Sequence, residues 1–295
     1  MQLALGEYFW FVDADDWISS NAMSHVNKII ESNPDAQVFS FGFAEHYKAK
    51  DDVIFYKLPH SETTKDKGIV NFLTIRRGYS SMPFSYIFKR DFITDHSLNF
   101  PQGLYFEDLL FMGQVFYYVQ NISLIPRIFY NYDRTNPDSI TLYQSKKKIL
   151  DLIEIYERLL NFLQSHSGKQ YQDLLAFRFV LYGLPRCFRM YFCVPMKERK
   201  DKLLRCQLRK YKESELMAIQ TIRRTGTFAT RLSATDPFQR LEFRRNLRML
   251  LKVKYASGIL EFMSDFQEVM RIGKDQLATF RSKISSLHVF NRQEL

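Results

Sequence analysis

The character of the chain changes once, between Leu142 and Lys148, and that change limits the folds open to it. Before it, short β-branched and aromatic runs alternate with helical patterns; after it, strand signals almost vanish. Charge flips at the same place. Residues 1–145 hold 12 Lys+Arg against 17 Asp+Glu, net −5, and residues 146–295 hold 30 against 15, net +15. Two units with different work are therefore expected: an α/β unit at 1–145 and a basic α-helical region at 146–295. The apolar share of 46% is enough for a packed core and argues against disorder.

Within the first unit, Glu7 to Val12 reads as a buried strand because it is a run of aromatic and β-branched residues. Trp17 to Glu31 reads as a helix, with Met23, Val26, Ile29 and Ile30 on one face and Ser19 or Ser20 as its cap. Strands follow at Gln37 to Phe43, Val53 to Leu58, Ser85 to Phe88 and Ser123 to Tyr132, and helices at Lys89 to Thr94 and Asp108 to Gln120. Strands alternating with helices make a sheet covered by helices. In the second unit, Ile149, Leu152, Ile153, Tyr156, Leu159, Leu160 and Leu163 form a helical stripe. Tyr171 to Val194 reads as a buried helix bent at Pro185. Lys197 to Lys212 and Phe238 to Ile272 read as basic helices, the first with a thin apolar face of Leu203, Leu204 and Leu208.

Several classes of function are disfavoured. The three cysteines, Cys187, Cys193 and Cys206, fit neither a zinc pattern nor a disulfide scaffold, and the six histidines are scattered. No Gly-rich dinucleotide motif or Walker lysine occurs. No leader peptide is visible. The most apolar stretch, Leu174 to Val194, is interrupted by Arg178, Arg186 and Arg189, so a cytoplasmic protein is expected.

Three segments carry chemistry. Asp13-Ala14-Asp15-Asp16 follows the first strand, and the two-residue period puts Asp13 and Asp15 on one side. Carboxylates are hard ligands suited to Mg²⁺ or Mn²⁺, and ligands of open α/β sheets bind at the carboxyl ends of strands. Taken alone, so short a motif is more often an acidic turn with no metal. Glu107-Asp108 opens a helix, where carboxylates complement exposed amides and the dipole. Arg134, in the loop that runs to Thr141, can pair with a diphosphate or simply be solvated.

In order, these segments resemble glycosyltransferase family 2. Leu3 to Trp17, reading LALGEYFWFVDADDW, is similar to the family's A-x-G-E-Y, apolar strand, D-x-D-D and Trp. Phe84 to Arg90 is similar to the strand before its second motif. Phe100 to Phe111, FPQGLYFEDLLF, resembles its F-x-x-G-L-x-x-E-D-x-x-F, and Tyr130 to Thr141 resembles its closing Y-x-Y-R…S-I-T. The resemblance spans Leu3 to Thr141. It implies an incomplete GT-A (Rossmann-like) α/β domain followed by the α-helical C-terminal region. It also implies inverting transfer of a sugar from a nucleotide-diphosphate donor, UDP-linked, to a saccharide or lipid-linked hydroxyl in polysaccharide or cell-envelope glycan synthesis. By the same resemblance Asp108 is the general base, supported by Glu107. Asp15, with Asp13, holds Mn²⁺ or Mg²⁺, and Asp13, Asp16 and Arg134 lie against the nucleotide diphosphate.

The family opens with a strand reading V-S-V-I-I-P-x-Y-N and then D-D-G-S-x-D, which hold uracil and ribose; neither is found in this sequence. The resemblance is thus to an N-terminally truncated member, with Met1 an internal methionine of a longer frame and nucleotide-sugar binding by this segment weak. Two alternatives stand beside it. One is a catalytically inactive remnant or scaffold. The other is a basic nucleic-acid-binding module, which the +15 half permits and the lack of any recognised motif disfavours. The same charge suits peripheral docking on an anionic membrane, at the inner face.

Overall fold

The computed structural model describes residues 3–47, 53–56, 58, 63–65, 81–137, 139–140, 143–166, 186–187, 190–191 and 193–224. The chain divides into two compact units, Met1–Arg244 and Arg245–Leu295, and the described residues all belong to the first. The helix expected at Phe238 to Ile272 and most of that at Tyr171 to Val194 lie outside the described residues.

The strands are β1 (Tyr8–Trp10), β2 (Trp17–Ile18), β3 (Val38–His46), β4 (Val53–Tyr56), β5 (Thr63–Lys65), β6 (Tyr86–Lys89) and β7 (Asn121–Asp133). The helices are α1 (Ala22–Ser32), α2 (Arg90–Asp95), α3 (Glu107–Tyr118), α4 (Lys146–Ser165), α5 (Met196–Arg199) and α6 (Lys202–Arg224). The sheet runs β1-β6-β3-β7-β2, with β4 added to β3 and β5 to β7. Among the described strands, only β3 and β7 pair in parallel. β3 is the centre, and all but its last residue are buried, as its unbroken apolar sequence requires. Where β3 and β7 slip register, Gly42 is needed, because a Cβ there would collide with the Tyr56 carbonyl and press within 3.2 Å of the Arg127 carbonyl.

Alternation along the strands sends side chains to two faces. Phe39, Phe41, Phe43, Ile87 and Phe129 pack with Ala22 and Val26 of α1. On the opposite face Tyr86 meets Phe116 and Phe88 meets Phe111, which seats α3. The helices then stack outward: Tyr117 of α3 meets Phe162 of α4, and Tyr156 of α4 stacks on Tyr211 of α6. All seven residues of the expected α4 stripe are buried. The Ser145 hydroxyl caps α4 by accepting the Lys148 N–H. The fold is mixed α/β with helices after it, as expected.

Two boundaries moved for reasons local patterns do not carry. The helix expected from Trp17 begins at Ala22, because Trp17 and Ile18 pair with Asn131 and Tyr130 of β7. The basic helix expected at Lys197 to Lys212 is broken at Asp201. Its carboxylate caps α6 through the Leu204 N–H at 3.0 Å and pairs with Lys146 at 2.7 Å.

Candidate active site

β1 delivers its acidic loop by alternation. Tyr8 and Trp10 face the α1 side, where Trp10 packs on Phe41 and its indole N–H donates to the Phe84 carbonyl at 2.9 Å. Phe9 and Phe11 face the α3 side. Phe11 packs edge-on to Phe111, 5.9 Å between ring centres, and to Phe100, 5.2 Å. Phe111 lies one helical turn after Glu107, so this aromatic contact brings the start of α3 to the end of β1. The two acidic motifs, distant in sequence, are thereby neighbours.

Asp16 fixes the loop. Its Oδ2 accepts the Tyr130 hydroxyl at 2.5 Å and its Oδ1 accepts the Asp133 N–H at 2.7 Å. The Tyr130 oxygen in turn accepts the Asp13 N–H at 3.1 Å, and the Asp16 N–H closes a turn onto the Asp13 carbonyl. The Tyr130 hydroxyl is held well above the ordinary phenol range, first by burial and then by Asp16, so it stays a donor. With both oxygens engaged inward, Asp16 shapes the loop and leaves Asp13 and Asp15 facing outward.

Negative charge collects at Asp13. Although the residue is exposed, partial burial of its carboxyl raises its pKa, and the charges of Asp16, Asp15 and Glu107 raise it further. The charge of Glu107 reaching Asp13 fits with the Phe11–Phe111 contact that brings the two motifs together. Among the described residues no group of three or more His, Cys, Asp or Glu side chains converges as a metal site. The donor set still fits a hard divalent cation in part. Asp13 and Asp15 offer one or two carboxylate ligands on an electron-rich loop, leaving the remaining positions to a diphosphate and water.

Asp108 is set differently. It is half-buried, and burial pushes its carboxyl up to about 6. Arg186 opposes that rise, Glu107 adds to it, and the Leu109 N–H and the Ser81 hydroxyl temper it. A carboxylate poised near neutrality takes protons far better than one of ordinary pKa.

Arg134 stands beside Asp133 and therefore near the loop that Asp133 holds. Its guanidinium lies 3.9 Å from Glu45, donates to the Tyr132 hydroxyl at 3.2 Å, and sits over the Tyr132 and Tyr47 rings. Glu45 is buried and also accepts the Tyr47 and Tyr56 hydroxyls. The expected diphosphate contact thus already has a carboxylate partner.

No family model and no curated protein matches this sequence. A solved structure does: S. aureus TarS 1–349 in complex with UDP-GlcNAc aligns at TM-score 0.55 with 15% identity, over 74% of this chain and 59% of that one. The fold is that of a partial GT-A glycosyltransferase domain. A further structure of S. aureus TarS 1–349 aligns at TM-score 0.47 with 16% identity, over 77% and 69% of the two chains, too low to add weight. This chain therefore spans 59% of the length of the better-matching structure. At such identity the likeness carries the fold, and the chemistry rests on the residues above.

Sequence reasoning missed the residues that hold the site: Tyr130 and Asp133 for Asp16, Glu45 for Arg134, and Arg186 and Ser81 for Asp108. Tyr130 and Asp133 fall inside the Y-x-Y motif and its flank, the one local signal available. Arg186 had none, being one of three arginines that interrupt an apolar stretch.

Proposed function

We propose that this protein is a glycosyltransferase of the family 2 type, acting by inverting transfer from a nucleotide-diphosphate sugar to a hydroxyl. The observation that carries the proposal is the meeting of Asp13–Asp16 with Glu107-Asp108, one carboxylate among them poised near neutrality. In this reading Asp108 takes the proton of the acceptor hydroxyl as its oxygen bonds to the anomeric carbon. The bond from that carbon to the diphosphate breaks, and the diphosphate leaves with the electron pair. Asp13 and Asp15 would hold Mn²⁺ or Mg²⁺, which neutralises charge on that leaving group. Asp16 keeps the loop in shape, Glu107 concentrates charge beside it, and Arg134 flanks the diphosphate.

The UDP-GlcNAc bound by TarS makes a UDP-sugar the first donor to try. A saccharide or lipid-linked acceptor follows from the resemblance, as does work in polysaccharide or cell-envelope glycan synthesis. Residues 1–145 would serve as the partial catalytic half and residues 146–295 as the basic region that brings it to an anionic membrane surface. No described helix is long and apolar enough to cross a membrane. Leu204, Leu208 and Tyr211 of α6 are already buried and only Leu203 of its apolar face is exposed, so attachment there would be mainly electrostatic. Calorimetry with UDP-sugars and Mn²⁺, beside an assay of UDP release, tests the reading. Mn²⁺-dependent binding that Asp15→Ala weakens supports it. Absence of both binding and release across the UDP-sugars would leave a non-catalytic descendant as the better account.

A further inference from the structure

The segment that carries Asp108 turns through two left-handed residues, with the Leu109 N–H returning to the Phe106 carbonyl at 3.0 Å. Gly103 and Phe106 both have left-handed φ, +75° and +65°. For Phe106 that conformation costs about 1 kcal/mol or more and persists only where its surroundings enforce it. The enforcing contacts come from beyond residue 145. Lys147 donates to the Gly103 carbonyl at 3.1 Å. Asp151, buried, accepts the Tyr105 N–H at 3.0 Å and the Lys147 ammonium at 2.5 Å. Lys147 and Lys148 lie over the Tyr105 ring, at 5.0 and 5.3 Å from its centre. Arg186 lies over the Phe106 ring at 4.8 Å.

We propose that the helical region completes the base site, with Arg186, seated on the Phe106 ring, the positioning residue for the Asp108 carboxylate. This rests on the reading of Asp108 as base. Stacking on an aromatic face fixes the plane of a guanidinium and limits where its charge points. Phe106 immediately precedes Glu107-Asp108, so seating its ring also fixes the first turn of α3. Among the described residues, the groups acting on Asp108 are Arg186 from the helical region, the Ser81 hydroxyl, and Glu107 with the Leu109 N–H on its own helix; Glu107 also acts on Asp13. Arg186 is the one cation among them, and its pull keeps Asp108 from drifting further above about 6.

A double-mutant cycle on the full chain tests this without requiring turnover. Stability of wild type, Arg186→Met, Arg186→Lys, Asp108→Asn and the double variant Arg186→Met/Asp108→Asn is measured by denaturant unfolding at pH 5 and pH 8. Arg186→Met should lose more stability at pH 8, where Asp108 is ionised, than at pH 5. That difference should vanish in the Asp108→Asn background and be largely restored by Arg186→Lys. Equal losses at both pH values, or a loss unchanged by Asp108→Asn, would overturn the proposal and leave Arg186 as packing for Phe106. If the chain turns over a UDP-sugar, Arg186→Met should also move the acidic limb of kcat/KM upward by about one pH unit. An unmoved limb would likewise count against it. Absence of turnover speaks only to the glycosyltransferase reading, because the stability cycle still decides the coupling.

Discussion

The acidic loop after β1 and the acidic pair at the head of α3 sit side by side, yet they are held in opposite ways. The loop is exposed at Asp13 and Asp15 and is tied down through Asp16 to the sheet itself, by Tyr130 and Asp133 of β7. The pair is half-buried and depends on residues far along the chain, Lys147, Asp151 and Arg186. Charge is left to accumulate in the first and is tuned by a cation in the second. An open, crowded set of carboxylates suits a cation and a diphosphate that arrive together. A half-buried carboxylate near neutrality suits a proton. The contrast separates leaving-group chemistry from acceptor chemistry within one site.

The largest expected effect tests the second member of the pair. Asp108→Asn should lower turnover by about 10²–10⁴-fold while sparing donor binding, because a base acts on the acceptor proton alone. The same change should stabilise the protein at high pH. Asp108 has a folded pKa raised from 3.8 to about 6. Stability it contributes is therefore fully present below pH 3.8 and lost as pH rises through about 6. Discounted for its partial exposure, the ionised carboxylate costs about 1–2 kcal/mol at pH 8. Urea unfolding at pH 8 should show Asp108→Asn the more stable, with the gap closing below pH 4. Undiminished turnover would reduce the pair to a helix cap and erase the contrast.

Next in size is the tie that holds the loop to the sheet. Tyr130→Phe removes the donor to Asp16 and the acceptor for the Asp13 N–H at once, while its ring keeps its stack on Phe84, 4.2 Å between centres. Leaving those groups unmatched should cost about 1–3 kcal/mol. Thermal unfolding should register a lower Tm, and Mn²⁺ response should weaken because the loop loses its shape. An unchanged Tm would mean the loop is held by its own turn.

Much of this was legible in the sequence, and the boundary of legibility is physical. Strand β1, helix α3 and the α4 stripe follow from local periodicity, because each buries a continuous apolar face. The acidic motifs stood out because strand ends and helix starts are where short-range rules place carboxylates. What the local pattern could not show is contact between distant segments. Nothing near Trp17 says that it pairs with Asn131 and so delays α1 to Ala22. Nothing near Asp16 names Tyr130, and nothing near Arg134 names Glu45. Arg186 read only as one of three charges interrupting an apolar stretch, and its place on Phe106 depends on how the helices stack on the sheet.

The smallest effect on stability, and the sharpest on metal, is expected at Asp15. The residue is exposed, and neither of the hydrogen bonds that anchor the loop uses its carboxylate. Without metal, Asp15→Asn should therefore change stability by no more than about 0.5 kcal/mol, in the stabilising direction if anything, since it removes one of the like charges beside Asp13. With metal the sign reverses. A cation that binds only the folded protein adds stability as its concentration passes its dissociation constant. Wild type should thus gain Tm on titration with Mn²⁺ or with Mn²⁺ plus UDP, and chelation should return it to the starting value. Asp15→Asn should keep its starting Tm and lose most of that gain, whereas Asp16→Asn should lower the starting Tm first, through the Tyr130 and Asp133 bonds. An equal Mn²⁺ gain in Asp15→Asn and wild type would remove Asp15 from the metal site. It would leave Asp13 as the carboxylate to test, because Asp13 is where the charges of Asp15, Asp16 and Glu107 converge.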